Sequence, residues 1–142
     1  MKTGLDMITD AYIVINVPDI TTEISGGVYP WERPKNSDKE DIVINGLPIT
    51  ADQQQRGVFN VNIHVPNLKG LEINGNSDDT IPDITRLKFI TNLVVSKIQM
   101  VDGQDYSFSV ATGGQLIKDS DLNWYMNLRV NYFALQTNYS NI

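Results

Sequence analysis

Between Leu122 and Ala134 the chain alternates without a break. Leu122, Trp124, Met126, Leu128, Val130, Tyr132 and Ala134 share one parity, and Asn123, Tyr125, Asn127, Arg129, Asn131 and Phe133 occupy the other. Successive side chains of an extended strand point to opposite faces, so this pattern demands a strand with one face in a core. Strands are usually about 5–6 residues long. One over 122–135 must run past its own sheet or pair along its full length in a hairpin. Residues 57–65 obey the same rule, with Phe59, Val61, Ile63 and Val65 alternating against Asn60, Asn62 and His64 before Pro66 ends the run.

Helical periods punctuate these strands. Leu5, Ile8, Tyr12 and Ile15 form a stripe that predicts a helix over 4–16, with Asp6 and Asp10 off it and Pro18 closing it. The β-branched run Ile13-Val14-Ile15 also suits a strand. Ile84, Leu87, Ile90 or Thr91, Val94 and Ile98 predict a second helix over 82–98, with Pro82 in its first turn and Asp83 near its positive end. Shorter strands follow from Val28 to Trp31, Ile42 to Ile44 and Tyr106 to Val110, with Asn45-Gly46 and Asp102-Gly103 as turns. Residues 67–80 and 113–120 are expected to be loops. The order predicts a single α+β domain over 1–142: an antiparallel or mixed sheet with two main helices packed on one face.

Composition excludes several chemistries. There is no cysteine, so disulfides and thiolate chemistry are ruled out. One histidine, His64, is the whole supply of imidazole, and it is expected on a solvated strand face; no catalytic residue and no transition-metal site are expected. Asn74 to Asp79 offers oxygen ligands but lacks the EF-hand order, so it reads as an exposed turn. The pairs Asp102/Asp105 and Asp119/Asp121 sit where Asp is favoured for local backbone hydrogen bonds. Gly26-Gly27 and Gly113-Gly114 match no phosphate loop, and no cofactor is expected. Net charge is −6, and the eleven basic residues are scattered. Specific nucleic-acid binding needs a clustered basic footprint and is therefore not expected. No run approaches a membrane span of about 20 apolar residues, and Asp6 and Asp10 interrupt any secretory leader. The sequon Asn138-Tyr139-Ser140 reads as accidental. Trp31, Arg33, Lys35 and Lys39, in a loop bounded by Pro30 and containing Pro34, are the candidate contact residues.

The succession of an N-terminal helix, Gly27-Val28-Tyr29, Arg33-Pro34, Asp41-Ile42-Val43-Ile44, the strand from Gly57 to Pro66, a helix and the closing strand from Trp124 to Leu135 resembles phage tail terminator or tail-completion proteins. The likeness covers nearly the whole chain, with Asn67 to Thr80 and Gln136 to Ile142 outside it. It implies a structural phage or prophage protein, not an enzyme, that forms a ring, commonly hexameric, caps the tail tube and joins it to the head connector. The implied partners are further copies of itself, the tail tube protein and the head–tail connector protein. The implied location is the virion tail or neck, reached from the host cytoplasm during assembly, with no membrane. A net negative subunit also suits a lumen that DNA traverses without being held. The alternatives are a neck or head-closure protein, or a small-molecule or carbohydrate-binding module built on Trp31 and the acidic loops.

Overall fold

The structure is a computed structural model that describes residues 1–103 and 105–136; the sequon lies outside them. Its helices are α1 (Gly4–Ile15), α2 (Pro18–Thr21) and α3 (Ile84–Ile98). Its strands are β1 (Val28–Pro30), β2 (Asp41–Gly46), β3 (Gln54–His64), β4 (Leu71–Ile73), β5 (Asn76–Asp78), β6 (Met100–Asp102), β7 (Tyr106–Val110), β8 (Gln115–Lys118) and β9 (Trp124–Leu135). Seven strands form one curled mixed sheet in the order β1-β2-β3-β9-β7-β6, with β8 also paired to β9. β1 runs parallel to β2, and the other pairings are antiparallel. The fold is α+β, with α1 and α3 against one face.

β9 stays within its own sheet. One edge pairs with all of β3, from Gln54↔Leu135 to His64↔Tyr125, while the other takes β7 and then β8. It is therefore a central strand and not an overhang; its full-length partner is the distant β3, and only its first four residues form a hairpin with β8. It begins at Trp124, because Leu122 (φ 64) turns the chain and is 49% exposed. The inner face carries Ile42, Ile44, Phe59, Val61, Ile63, Leu128, Val130 and Tyr132, which form one apolar cluster with the helices.

Thr3 and Asp6 form a capping box that starts α1: each side chain accepts a hydrogen bond from the other's backbone N–H. The buried face of α1 is Met7, Ile8, Ala11 and Ile15, rotated from the predicted stripe so that Leu5 is exposed. Asp10, expected off the core, is buried because the Tyr132 hydroxyl reaches through the core and donates to it at 2.6 Å, while Lys2 pairs with it at 3.0 Å. In α3 the cap is Asp83, which accepts from the Arg86 N–H, so Pro82 lies before the helix instead of in its first turn. Ile84, expected on the apolar stripe, is exposed.

Two segments expected to be loops contain strands. Residues 113–120 hold β8, and 67–80 hold the β4–β5 hairpin, a separate two-stranded sheet. Its turn is Asn74-Gly75, both with positive φ (55 and 80), the conformation that favours this dipeptide in two-residue hairpins. Asn45-Gly46, expected as a turn, lies inside β2.

Candidate functional site

Residues 31–40 form a loop that is locked from beneath. Asp41, 1% exposed, accepts from the Arg33 Nε at 2.9 Å, the Ser37 hydroxyl at 2.5 Å and the Gly27 N–H at 3.2 Å. The Arg33 guanidinium also reaches the carbonyls of Lys39 (2.8 Å) and Ser37 (3.3 Å), so it closes the loop on itself. Arg86 of α3 fastens the loop's end by pairing with Glu40 at 2.6 Å and donating to the Glu23 carbonyl. Gly26 lies against Asp41 and the Glu40 carbonyl, where a Cβ has no room.

Four sequence-predicted contact residues thus divide. Arg33 is turned inward and spends its donors within the chain. Lys35 and Lys39 are exposed, and neither ammonium makes a salt bridge among the described residues. Trp31 is 44% exposed, and its N–H continues the sheet to the Ile44 carbonyl at 2.7 Å. Its φ of 73 places a bulky residue in the left-handed region, which glycine fills at no cost.

The sheet face away from the helices was not singled out from sequence. Asn60 donates to Asn45 at 3.0 Å, and Asn127 donates to Asn62 at 2.7 Å and to Asn60 at 3.3 Å. This amide ladder floors a groove of about 740 Å³ that Tyr125 and Arg129 also line, and no carboxylate does. The signal was present as Asn60 and Asn62 on one alternating strand and Asn127 and Asn131 on the other; only their pairing shows that the amides of Asn60, Asn62 and Asn127 meet. Toward the Leu135 end the same face becomes apolar, where Leu47, Val58 and Phe133 line a groove of about 350 Å³ beside Arg56.

His64 ends β3 at the opposite end of that face. Contrary to the expected solvated position, its ring stacks on Tyr125 at 4.9 Å, and Nδ1 is buried with no hydrogen-bond partner. Burial, with the nearby Arg33 charge, lowers its pKa from 6.5 to about 4, against weaker opposing pulls from Asp119 and Asp41. A base needs a group to orient it, and among the described residues none bonds the buried Nδ1 of this ring. The unfolded imidazole takes its proton near 6.5, and the folded one does so only near 4. Stability contributed by the neutral ring is therefore complete above pH 6.5 and is lost as pH falls toward 4. The urea midpoint of His64→Gln should decline less than that of the wild type across this window. An NMR titration of the single histidine with a midpoint near 6.5 would refute the assignment.

The other sequence candidates hold the fold together, some within their own turns and, contrary to expectation, Asp105 across the chain. Trp124, expected in the core, is half-buried and clamps the 67–80 segment by donating from Nε1 to the Thr80 carbonyl at 2.9 Å. Asp78 caps Thr80, Asp119 accepts from the Asp121 and Asn123 N–H groups, and Asp105 pairs with Lys2 at 3.3 Å. Among the described residues no cluster of three or more His, Asp or Glu is placed to hold a metal ion, and no helix is long and apolar enough to cross a membrane. Comparison with known proteins finds no matching family model and no matching curated sequence.

Proposed function

We propose that this chain is a structural subunit of a phage or prophage virion, similar to a tail terminator, that assembles into a ring, caps the tail tube and meets the head connector. The observation that carries the reading is Trp31: an aromatic side chain left exposed, in a backbone conformation it disfavours, on a loop locked by Arg33–Asp41 and Arg86–Glu40. Strain retained at an exposed aromatic supports a contact role. A loop ordered before contact loses little freedom on binding, which makes it an efficient anchor. Three of the segments that carry the family likeness are also joined, because Gly27, Arg33 and Asp41 share a single hydrogen-bonded network at the root of β1 and β2.

The test is Trp31→Gly, combined with Lys35→Ala and Lys39→Ala in a second variant. Trp31→Gly should leave stability unchanged or raise it by up to about 1 kcal/mol, because the strain is relieved. It should weaken binding to the cognate tail tube by roughly thirtyfold, the scale of a central contact residue. A folded Trp31→Gly chain that caps tubes like the wild type would remove this loop as the interface.

A second reading, a binding module for a neutral polyhydroxylated ligand such as a carbohydrate, is favoured by the amide ladder. Fixed carboxamides offer paired donors and acceptors to hydroxyl groups, and Tyr125 supplies a flat apolar surface beside them. Calorimetry against neutral oligosaccharides, with Asn127→Ala as control, decides between the two.

A further inference from the structure

The β4–β5 hairpin stands apart from the main sheet. A lone two-stranded hairpin is marginal in water, yet this one exposes Ile73 (43%) and Glu72 and everything at its tip. Its root is clamped firmly. Asn67 donates to the Asp79 and Leu122 carbonyls, the Leu68 N–H donates to the Ile81 carbonyl, and Trp124 holds Thr80. A firmly held root under a hairpin that leaves its one isoleucine, Ile73, exposed beside the Asn74-Gly75 turn is the form of an arm that finishes its packing on another molecule.

The counterpart lies on the open face of the main sheet. The groove of Leu47, Val58 and Phe133 exposes apolar surface, with Arg56 at its edge and Arg129 farther along the face. Neither arginine makes a salt bridge among the described residues, and no carboxylate lines either groove. The hairpin segment is the reverse: Glu72, Asp78 and Asp79 are its only charges between residues 71 and 79. The two surfaces match in sign and in apolar character. They also sit at opposite ends of β9, because the hairpin root is held at Trp124 and the groove at Phe133. Nine residues of strand separate them by about 30 Å, so a chain cannot fill its own groove.

We infer that the β4–β5 hairpin of one copy seats Ile73 in the Leu47–Val58–Phe133 groove of the next copy, with Glu72 and the neighbouring aspartates facing Arg56 and Arg129. The contact is head-to-tail: one patch meets a different patch, the kind of contact from which a ring is built when the rotation between copies closes. It rests on the assembly reading above and gives the self-contact of that ring, separate from the Trp31 surface that faces the tube.

The absence of native cysteine makes the test clean. Ile73→Cys on one tagged chain is mixed under mild oxidation with Leu47→Cys on another, and with Ile13→Cys on α1 as the control, a position more exposed than Leu47 (61% against 46%) and so biased against the expected result. The 73–47 heterodimer should form several-fold more than the 73–13 heterodimer. Placing Arg56→Glu and Arg129→Glu in the Leu47→Cys chain should abolish the excess, and Glu72→Lys in the hairpin chain should restore part of it. Equal yields from the two pairs, with all chains folded by circular dichroism, overturn the inference. Wild type that caps tubes while the pairs show no preference refutes this contact and leaves the assembly reading standing. Wild type that never engages a tube refutes that reading, and the cross-link ratio still decides whether the copies meet as described.

Discussion

Arg33→Ala is expected to lower the unfolding free energy by about 3–5 kcal/mol, the cost of leaving a buried carboxylate without its cation. Asp41 is almost wholly enclosed, and Arg33 meets it at 2.7 Å with a second contact from Nε at 2.9 Å. The Ser37 hydroxyl and Gly27 N–H remain as partners, but they supply no opposing charge. Arg33→Lys should recover only part of the loss, since one ammonium cannot hold the carboxylate and the Lys39 and Ser37 carbonyls in the same fork. Urea unfolding followed by circular dichroism measures both, and a loss below about 1 kcal/mol for the alanine variant would mean that the latch is not structural. The consequence for function is direct. Arg33 must not be removed when the contact role of Trp31 is tested, because the loop that presents Trp31 would be released with it.

Phe59→Ala should cost about 3–5 kcal/mol, the range for deleting a large enclosed aromatic ring. Phe59 has no exposed surface, sits mid-β3 between Gly46 and Val130, and meets Phe108 edge-to-face at 5.1 Å. Phe108 in turn contacts Tyr106 and Tyr132, so the void would open in the middle of a four-ring cluster. Phe89→Ala is the natural contrast. That ring is 42% exposed and has the Arg86 guanidinium over its face at 5.1 Å, so its removal should cost about 0.5–1 kcal/mol. Equal losses for the two variants would contradict the core as described.

The two Asn-Gly pairs show where local signals stop. Asn45-Gly46 and Asn74-Gly75 are the same dipeptide, yet only the second turns the chain. Gly46 faces α1, where a Cβ would crowd Met7 and Ile8, so its glycine serves close packing of helix on sheet. Gly75 has open space around it and a φ of 80, so its glycine serves the turn. The dipeptide supplies the freedom in both cases, and the neighbours decide its use. The helix faces show the same limit. Leu5 and Ile84 fit the helical period but fall beyond the reach of the sheet, and the acidic Asp10 is drawn in because Tyr132 brings a hydroxyl that needs an acceptor.

Alternation in the sequence determined which side chains of β3 and β9 share a face, because the period of a strand is a property of the backbone and survives any arrangement of neighbours. Helical spacing likewise determined that α1 and α3 would form and roughly where they would end. Partners were decided by the tertiary structure alone. β8 has only four residues and polar ends, too little pattern to announce a strand, and it exists because β9 extends past β7 and leaves an edge to be paired. The amide ladder needed β3 and β9 in one register, Asn60 opposite Arg129 and Asn62 opposite Asn127. Arg33 looked like an exposed cation between prolines until the fold set an enclosed carboxylate beneath it. Each of these depends on contacts between residues distant in the chain, and a local pattern carries no record of what the rest of the chain will bring to it.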